Sequence, residues 1–162
     1  MTVISAGGYL LTTCAPGDLR DADLKACVSL VSHGGAVPRR FAETGLRNAR
    51  LLAVVRRGPE IVAIGAIKRV RHDYAARRAK LSGFRFPTGT PELGYVARSP
   101  AHSGHGFAPR IVQALVSEHA GPLWATTDSA GMKDALGKAG FLRKGSEWTG
   151  ARGQLSLWLK ER

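Results

Sequence analysis

The chain has 162 residues, enough to close one hydrophobic core without disulfides or metals. Its apolar content of 44% excludes a disordered chain, and no apolar run outlasts the seven residues Ile61 to Ile67, which excludes a membrane-spanning helix. Twenty-four Lys and Arg against twelve Asp and Glu leave a net charge of +12, a field that repels polycations and gathers phosphates, acidic peptides or nucleic acid.

The N-terminal stretch MTVISAGGYL lacks the basic head of a secretory signal, so a soluble cytoplasmic protein is expected. One strand is expected ahead of Pro16. Residues 16–33, PGDLRDADLKACVSLVSH, set Leu19, Ala22, Ala26 and Leu30 at helical spacing, with Pro16 and Asp18 as a start signal and Gly34 and Gly35 as a stop. PRRFAETGLRNA (38–49) reads as a shorter helix. RLLAVV and EIVAIGAIKRV are apolar, β-branched runs joined by RRGP, the pattern of an antiparallel hairpin. RHDYAARRAKLSGFRFPTGTP (71–91) is polar and punctuated by Gly and Pro. It is expected to form an inserted surface loop with room for a short helix. ELGYVAR (92–98) alternates Leu93, Tyr95 and Ala97 with Gly94, Val96 and Arg98, as a strand does.

From Phe107 onward, Phe107, Ala108, Ile111, Val112, Leu115 and Val116 describe one apolar helical face. PLWATT is a strand. SAGMKDALGKAG is a helix with Met132, Ala135, Leu136 and Ala139 inward and Gly140 at its end. FLRKGSEW and GQLSLWLK close the chain as strands, placing Trp124, Trp148 and Trp158 in core or sheet-face packing. The resulting order, β-α-α-β-β-β-α-β-α-β-β, is that of an α/β or α+β fold with a mixed sheet, in one domain over residues 1–162 without repeats or linkers. Cys14 and Cys27 have no Cys or His partners at metal spacing, so both read as reduced core thiols and no metal site is expected.

The stretch HSGHGFA, His102 to Ala108, sets a glycine-rich turn between a strand and a helix. Glycines bring bare N–H groups close to a ligand, and the first N–H groups of a helix lack intrahelical partners at the positive end of its dipole, which suits a phosphate or diphosphate. A simple tight turn is the alternative reading. No Gly-Lys-Ser/Thr follows, so this is not a P-loop, and its late position without a first βαβ unit excludes a dinucleotide fingerprint.

ELGYVARSPAHSGHGFAPRIVQALV resembles the strand, pyrophosphate loop and helix of the GNAT superfamily of N-acetyltransferases, whose signature Gln/Arg-x-x-Gly-x-Gly/Ala falls here on Ser103, Gly106 and Ala108. KDALGKAGFLRKGSEW resembles the same superfamily's later segment ending in Gly-Phe, matched by Gly140 and Phe141. The two motifs stand in the family's order, and the resemblance covers essentially the whole chain. It implies a GNAT-like acyl-CoA N-acyltransferase fold and acetyl-CoA as donor. It implies that backbone amides of Ser103, Gly104, His105, Gly106, Phe107 and Ala108 hold the pyrophosphate, and that Val96, Ala97 and Arg98 line the pantetheine arm, which adds like a strand between two splayed central strands. Three positions depart from the family: Ser103 replaces its Gln or Arg, Ser129 stands where many members have Asn, and Leu136 stands where a Tyr often protonates the leaving thiolate. A free thiol has a pKa of about 8.5, so the thiolate departs tolerably without that acid.

Within this resemblance Glu92 is the candidate general base, with an ion pair to an arginine as its alternative role; Tyr95 and Ser129 are candidate acids, and N–H groups of the strand, Val96 among them, are candidate oxyanion donors. His102 and His105 are read as loop histidines facing solvent, with phosphate contact as the alternative. Between residues 36 and 85 thirteen basic residues oppose Glu43, Glu60 and Asp73, so the acceptor amine is expected to be anionic or nucleic-acid-linked, an aminoacyl-tRNA or an acidic protein for example, engaged through basic residues 39–85. A solvated arginine-rich surface is the bland alternative. A small-amine acetyltransferase and a non-catalytic acyl-CoA- or nucleic-acid-binding module remain open beside this reading, as does a homodimer.

Overall fold

The computed structural model describes residues 3–33 and 37–162; the Gly34 and Gly35 stop signal lies outside the described residues. Apolar runs of alternating or β-branched residues form β1 (Val3–Ala6), β2 (Tyr9–Cys14), β3 (Leu51–Arg57), β4 (Glu60–Lys68), β5 (Glu92–Arg98), β6 (Leu123–Thr127), β7 (Leu142–Thr149) and β8 (Gln154–Lys160). The helices are α1 (Asp21–His33), α2 (Arg39–Arg47), α3 (His72–Ser82), α4 (Phe107–Glu118) and α5 (Ala130–Lys138). The eight strands form one sheet in the order β1-β2-β3-β4-β5-β6-β8-β7. Every neighbouring pair is antiparallel except β5 with β6, which run parallel.

Two expectations from sequence need correction. The N-terminal region carries two strands rather than one, because Gly7 and Gly8 reverse the chain and pair Ala6 with Tyr9. Residues 71–91 are not simply a surface loop: they hold α3, eleven residues long. Its alanine-rich sequence supports a helix without an apolar stripe. Only a narrow edge of it is buried, where Tyr74 and Ala75 pack with Val70, Phe84 and Phe86 over Trp124, Trp148, Leu157 and Leu159.

Helices cover both faces. On one, α4 and α5 bring Phe107, Ile111, Leu115 and Leu136 against Ala53, Ala63, Ile67, Leu93 and Leu123. On the other, α1 and α2 press Leu24, Cys27, Val28 and Leu46 onto Leu52, Val54 and Ile64, while α3 covers the β6–β8–β7 side. Between α1 and α3 that second face is left open over β5. Among the described residues no helix is long and apolar enough to cross a membrane.

Strand β5 departs from simple alternation. Its register on β4 skips from Ala97↔Ile64 to Gly94↔Ala66, and Tyr95 takes φ 55°, the one left-handed non-glycine among the described residues. A bulge of this kind turns consecutive side chains to the same face. Leu93, Tyr95 and Ala97 therefore do not share one face as the alternation predicts: Leu93 and Val96 join the α4 side, Tyr95 and Ala97 the α1–α2 side.

Candidate functional site

The site begins with the bulge. Tyr95 and Val96 fall in the gap of the β4 register, so the strand is bent at its middle. Its other neighbour leaves as well: β5 and β6 are in register only at Glu92↔Trp124, with Trp124 N–H donating to the Pro91 carbonyl at 3.1 Å. Trp124 Nε1 donates to the Thr90 carbonyl at 2.9 Å, pinning that closed end. Beyond it the strands part, and their open edges face a cleft instead of each other.

The cleft has two arms. One, about 490 Å³, reaches the α1–α3 side and is lined by Lys68, Tyr74, Glu92, Tyr95, Arg98, Asp128, Ser129 and Arg152 among others. The second, about 290 Å³, lies between β5, α4 and α5 and is lined by Val96, Ala97, Arg98, Phe107, Ala108, Ile111, Ser129 and Met132. Val96, Ala97, Arg98, Ser129 and Met132 line both, so the two arms meet at the bulge.

The second arm reaches Phe107 and Ala108 in the first turn of α4, directly after the glycine turn. Gly104 and Gly106 lie in the left-handed region, at φ 80° and 66°. Gly106 is the N-cap of α4 and, having no side chain, leaves the first amides of the helix uncapped. A Cβ built on either glycine would meet nothing within 4 Å, so the turn is open on that side. Pro109 removes one donor from the first turn, leaving Gly106, Phe107 and Ala108 as the helix-start N–H groups. Backbone donors at the start of a helix suit an anion.

His102 is half-buried and His105 is exposed, as a loop histidine facing solvent should be, yet both reach one hydroxyl. His102 Nδ1 is 2.9 Å and His105 Nε2 3.3 Å from the Tyr9 hydroxyl. His105 also stacks on Phe107, with ring centroids 5.5 Å apart.

The first arm has a charged floor. Lys68 Nζ lies 2.7 Å from Glu92 Oε1, and both side chains are nearly buried, 15% and 5% exposed. The ammonium also sits 4.2 Å from the Tyr95 ring centroid and 5.4 Å from that of Tyr74. Burial opposes charge on Lys68, but the attraction of Glu92, with Tyr74 and Tyr95, outweighs it and holds the amine above the usual lysine value. Burial pushes the Tyr95 phenol up, Lys68 pulls it down, and Glu92 and Tyr74 add to the rise, for a net upward shift. Gly94 makes the arrangement possible, since a Cβ there would come within 2.9 Å of Lys68 Cδ.

The other sequence-derived candidates are placed as follows. Glu92 is paired, with a lysine rather than an arginine. The Tyr95 hydroxyl lies against Gly45 of α2, where a Cβ would collide with it. Ser129 caps α5 through its Oγ, which accepts the Met132 N–H at 3.3 Å, and so keeps its own proton free to donate. Leu136 is fully buried in the α4–α5 core. Of the basic residues, Arg47 pairs with Asp21 and Glu43, Arg56 with Asp23 and Arg71 with Asp73, whereas Arg77, Lys80 and Arg85 have no ion pair among the described residues. Both carboxylates of the first arm are engaged, Glu92 by Lys68 and Asp128 by Arg152 at 3.4 Å. Among the described residues no three His, Cys, Asp or Glu are grouped to hold a metal ion.

Lys68 and Met132 were not singled out as site residues by sequence. Lys68 is the first charge after an apolar run, a signal whose meaning appears only once β4 is laid beside β5.

Neither a protein-family model nor a curated protein matches the sequence. Solved structures do match the fold. A GNAT-family acetyltransferase from Streptococcus agalactiae aligns with TM-score 0.69 at 13% identity, covering 94% of this chain and 95% of that one. The ribosomal-protein-S5-alanine acetyltransferase of Vibrio fischeri aligns with TM-score 0.63 at 13% identity, over 99% and 97%. The protein yncA from Salmonella typhimurium, solved with its cofactor acetyl-CoA, aligns with TM-score 0.63 at 16% identity, over 96% and 94%.

Proposed function

Because this chain has the fold of the GNAT acetyltransferases, we propose that it is an N-acetyltransferase, a single catalytic domain that moves an acetyl group from acetyl-CoA to a primary amine. One observation carries the reading: β5 and β6 are in register only at Glu92 and Trp124 and then part, opening a cleft that runs from an uncapped, glycine-opened helix start to a charged pocket on the opposite face.

The residues present fit the donor. Amides of Gly104 to Ala108 would hold its diphosphate, at the positive end of α4. The freed edge of β5, Val96 to Arg98, would pair with its amide-bearing arm. Bound there, acetyl-CoA supplies an activated thioester. The Val96 N–H, at the gap in the β4 register, would meet the carbonyl oxygen as it gathers charge. The acceptor amine would arrive from the Lys68–Glu92 side, form the new C–N bond as the C–S bond breaks, and lose its proton toward Glu92 or water. Ser129 would donate to the departing thiolate. Tyr95, whose hydroxyl is spent against α2, would shape the acceptor wall.

The acceptor reading follows from charge. With Glu92 and Asp128 both engaged, the pocket offers no free carboxylate to a second ammonium, while Arg98 adds positive charge at the junction of the arms. An anionic or nucleic-acid-linked amine, or an acidic protein, fits this better than a polyamine. The Vibrio fischeri neighbour is named for a ribosomal-protein acceptor, which is in keeping with a protein amine.

The test is thiol release from acetyl-CoA against a panel of acidic peptides, aminoacyl-tRNA and polyamines. Turnover on an acidic or tRNA-linked amine that weakens with salt is expected; turnover on polyamines alone would overturn the acceptor reading, and binding of acetyl-CoA without transfer to any amine would leave a binding module.

A further inference from the structure

The diphosphate turn is held from behind by a residue ninety-three positions earlier in the chain. Tyr9, on β2, is buried, and its hydroxyl lies 2.9 Å from His102 Nδ1 and 3.3 Å from His105 Nε2. Its ring meets Phe107, the first residue of α4, edge-on at 4.9 Å. Arg57 covers the same ring at 5.3 Å and donates to the hydroxyl at 3.4 Å. Glu60 Oε2 lies 3.6 Å from His102 Nε2.

These contacts form one consistent chain of donors and acceptors. His102 Nε2–H faces Glu60, leaving Nδ1 to accept the Tyr9 O–H; the Tyr9 oxygen then accepts from His105 Nε2–H and from Arg57. The two histidines flank Ser103 and Gly104, so a single hydroxyl ties down both feet of an arch that leads directly into Gly106. Without such ties, glycines at φ 80° and 66° would sample many conformations, and ordering them would weaken ligand binding.

We propose that Tyr9 is a positioning residue for donor binding: through His102 and His105 it fixes the amides of Gly104 and Gly106 in the orientation that receives the diphosphate. The proposal rests on the acetyl-CoA reading above, and Tyr9 itself touches neither substrate nor acetyl group.

The experiment compares the wild type with Tyr9→Phe, which keeps the ring contacts and deletes only the hydroxyl. Leu11→Ala, a cavity in the same strand and core cluster, controls for lost stability. Coenzyme A binding by calorimetry, KM for acetyl-CoA and kcat are measured, and amide hydrogen exchange at Gly104 and Gly106 is followed without ligand. Tyr9→Phe is expected to weaken coenzyme A binding and raise KM about fivefold to tenfold with kcat nearly unchanged, to speed exchange at both glycines, and to be non-additive with His105→Ala. Leu11→Ala should lower Tm without moving KM. If Tyr9→Phe leaves exchange and affinity at wild-type values, or if Leu11→Ala reproduces its KM effect, the positioning role is overturned. Should the wild type itself fail to bind coenzyme A while Tyr9→Phe still loosens the glycines, the donor reading falls and the brace stands.

Discussion

Lys68 and Glu92, the last residue of β4 and the first of β5, face each other across the sheet with 2.7 Å between Nζ and Oε1. Each removes the other's buried charge. Replacing Lys68 by Met strands a carboxylate in a nearly dry site, an error that typically costs about 3–5 kcal/mol. We expect a clear fall in denaturant midpoint for Lys68→Met and substantial recovery in the Lys68→Met/Glu92→Gln double variant, checked by urea unfolding of all three proteins. Equal destabilisation of single and double variants would show that the pair does not act as a unit.

The same pair sets the pH dependence. Lys68 is held above its ordinary value, so the stability it contributes is fully present below about pH 10 and fades only as pH climbs through the raised folded-state value. Tyr95 is likewise pushed up and keeps its proton. Neither group titrates between about pH 6 and about pH 9. The rising limb of kcat/KM is therefore expected to follow deprotonation of the acceptor ammonium, and to shift when acceptors of different amine pKa are compared. A limb fixed across acceptors would point instead to a group on the protein.

Gly45 gives a prediction with an inverted sign. Inside an exposed helix Gly→Ala ordinarily stabilises by about 0.5–1 kcal/mol. Here the new methyl would strike the Tyr95 hydroxyl and ring edge, so Gly45→Ala is expected to destabilise by about 1–3 kcal/mol. Thermal unfolding of Gly45→Ala in wild-type and Tyr95→Ala backgrounds checks it: the penalty should vanish when the ring is gone.

Ala108 separates folding from donor binding. It stands in the first turn of α4, already helical, and lines the smaller arm of the cleft. Asp at this place complements the helix dipole and should leave stability unchanged or raised by about 0.3–1 kcal/mol. It also sets a carboxylate where a diphosphate would lie. Ala108→Asp is expected to keep Tm and lose coenzyme A binding by at least an order of magnitude, measured by calorimetry at low salt.

Cys27, on the buried face of α1, has its thiol pushed up to about 12, chiefly by burial, with Cys14 adding and Arg56 opposing. Burial also raises Cys14, followed by Asp18, against Arg56. Thiolate is the reactive form, so the native protein should react with an aromatic disulfide reagent far more slowly at neutral pH than the urea-unfolded chain, in which both thiols titrate together.

Much of this molecule was legible in one dimension. The glycine turn before Phe107, the apolar stripe of α4, the β3–β4 hairpin and the α5 helix ending at Gly140 are all written in neighbouring residues, because turn chemistry and helical or strand period act over a few positions. The family resemblance rested on those same local signals. α3 was harder to see: its helix shows no stripe, and what it covers, Trp124 and Trp148, lies far along the chain.

What only the folded molecule decided are relations across the sheet. The bulge that turns Tyr95 from the side of Leu93 to the opposite face depends on how β5 registers on β4. Glu92 found Lys68 instead of an arginine because pairing placed those two ends together, with Gly94 clearing the path. Tyr9 reached the two loop histidines only when β2 and the start of α4 were stacked on adjoining parts of one sheet. A sequence states what each segment can do alone, whereas burial, charge pairing and strand register are settled between segments, and the chemistry of this cleft is made of the latter.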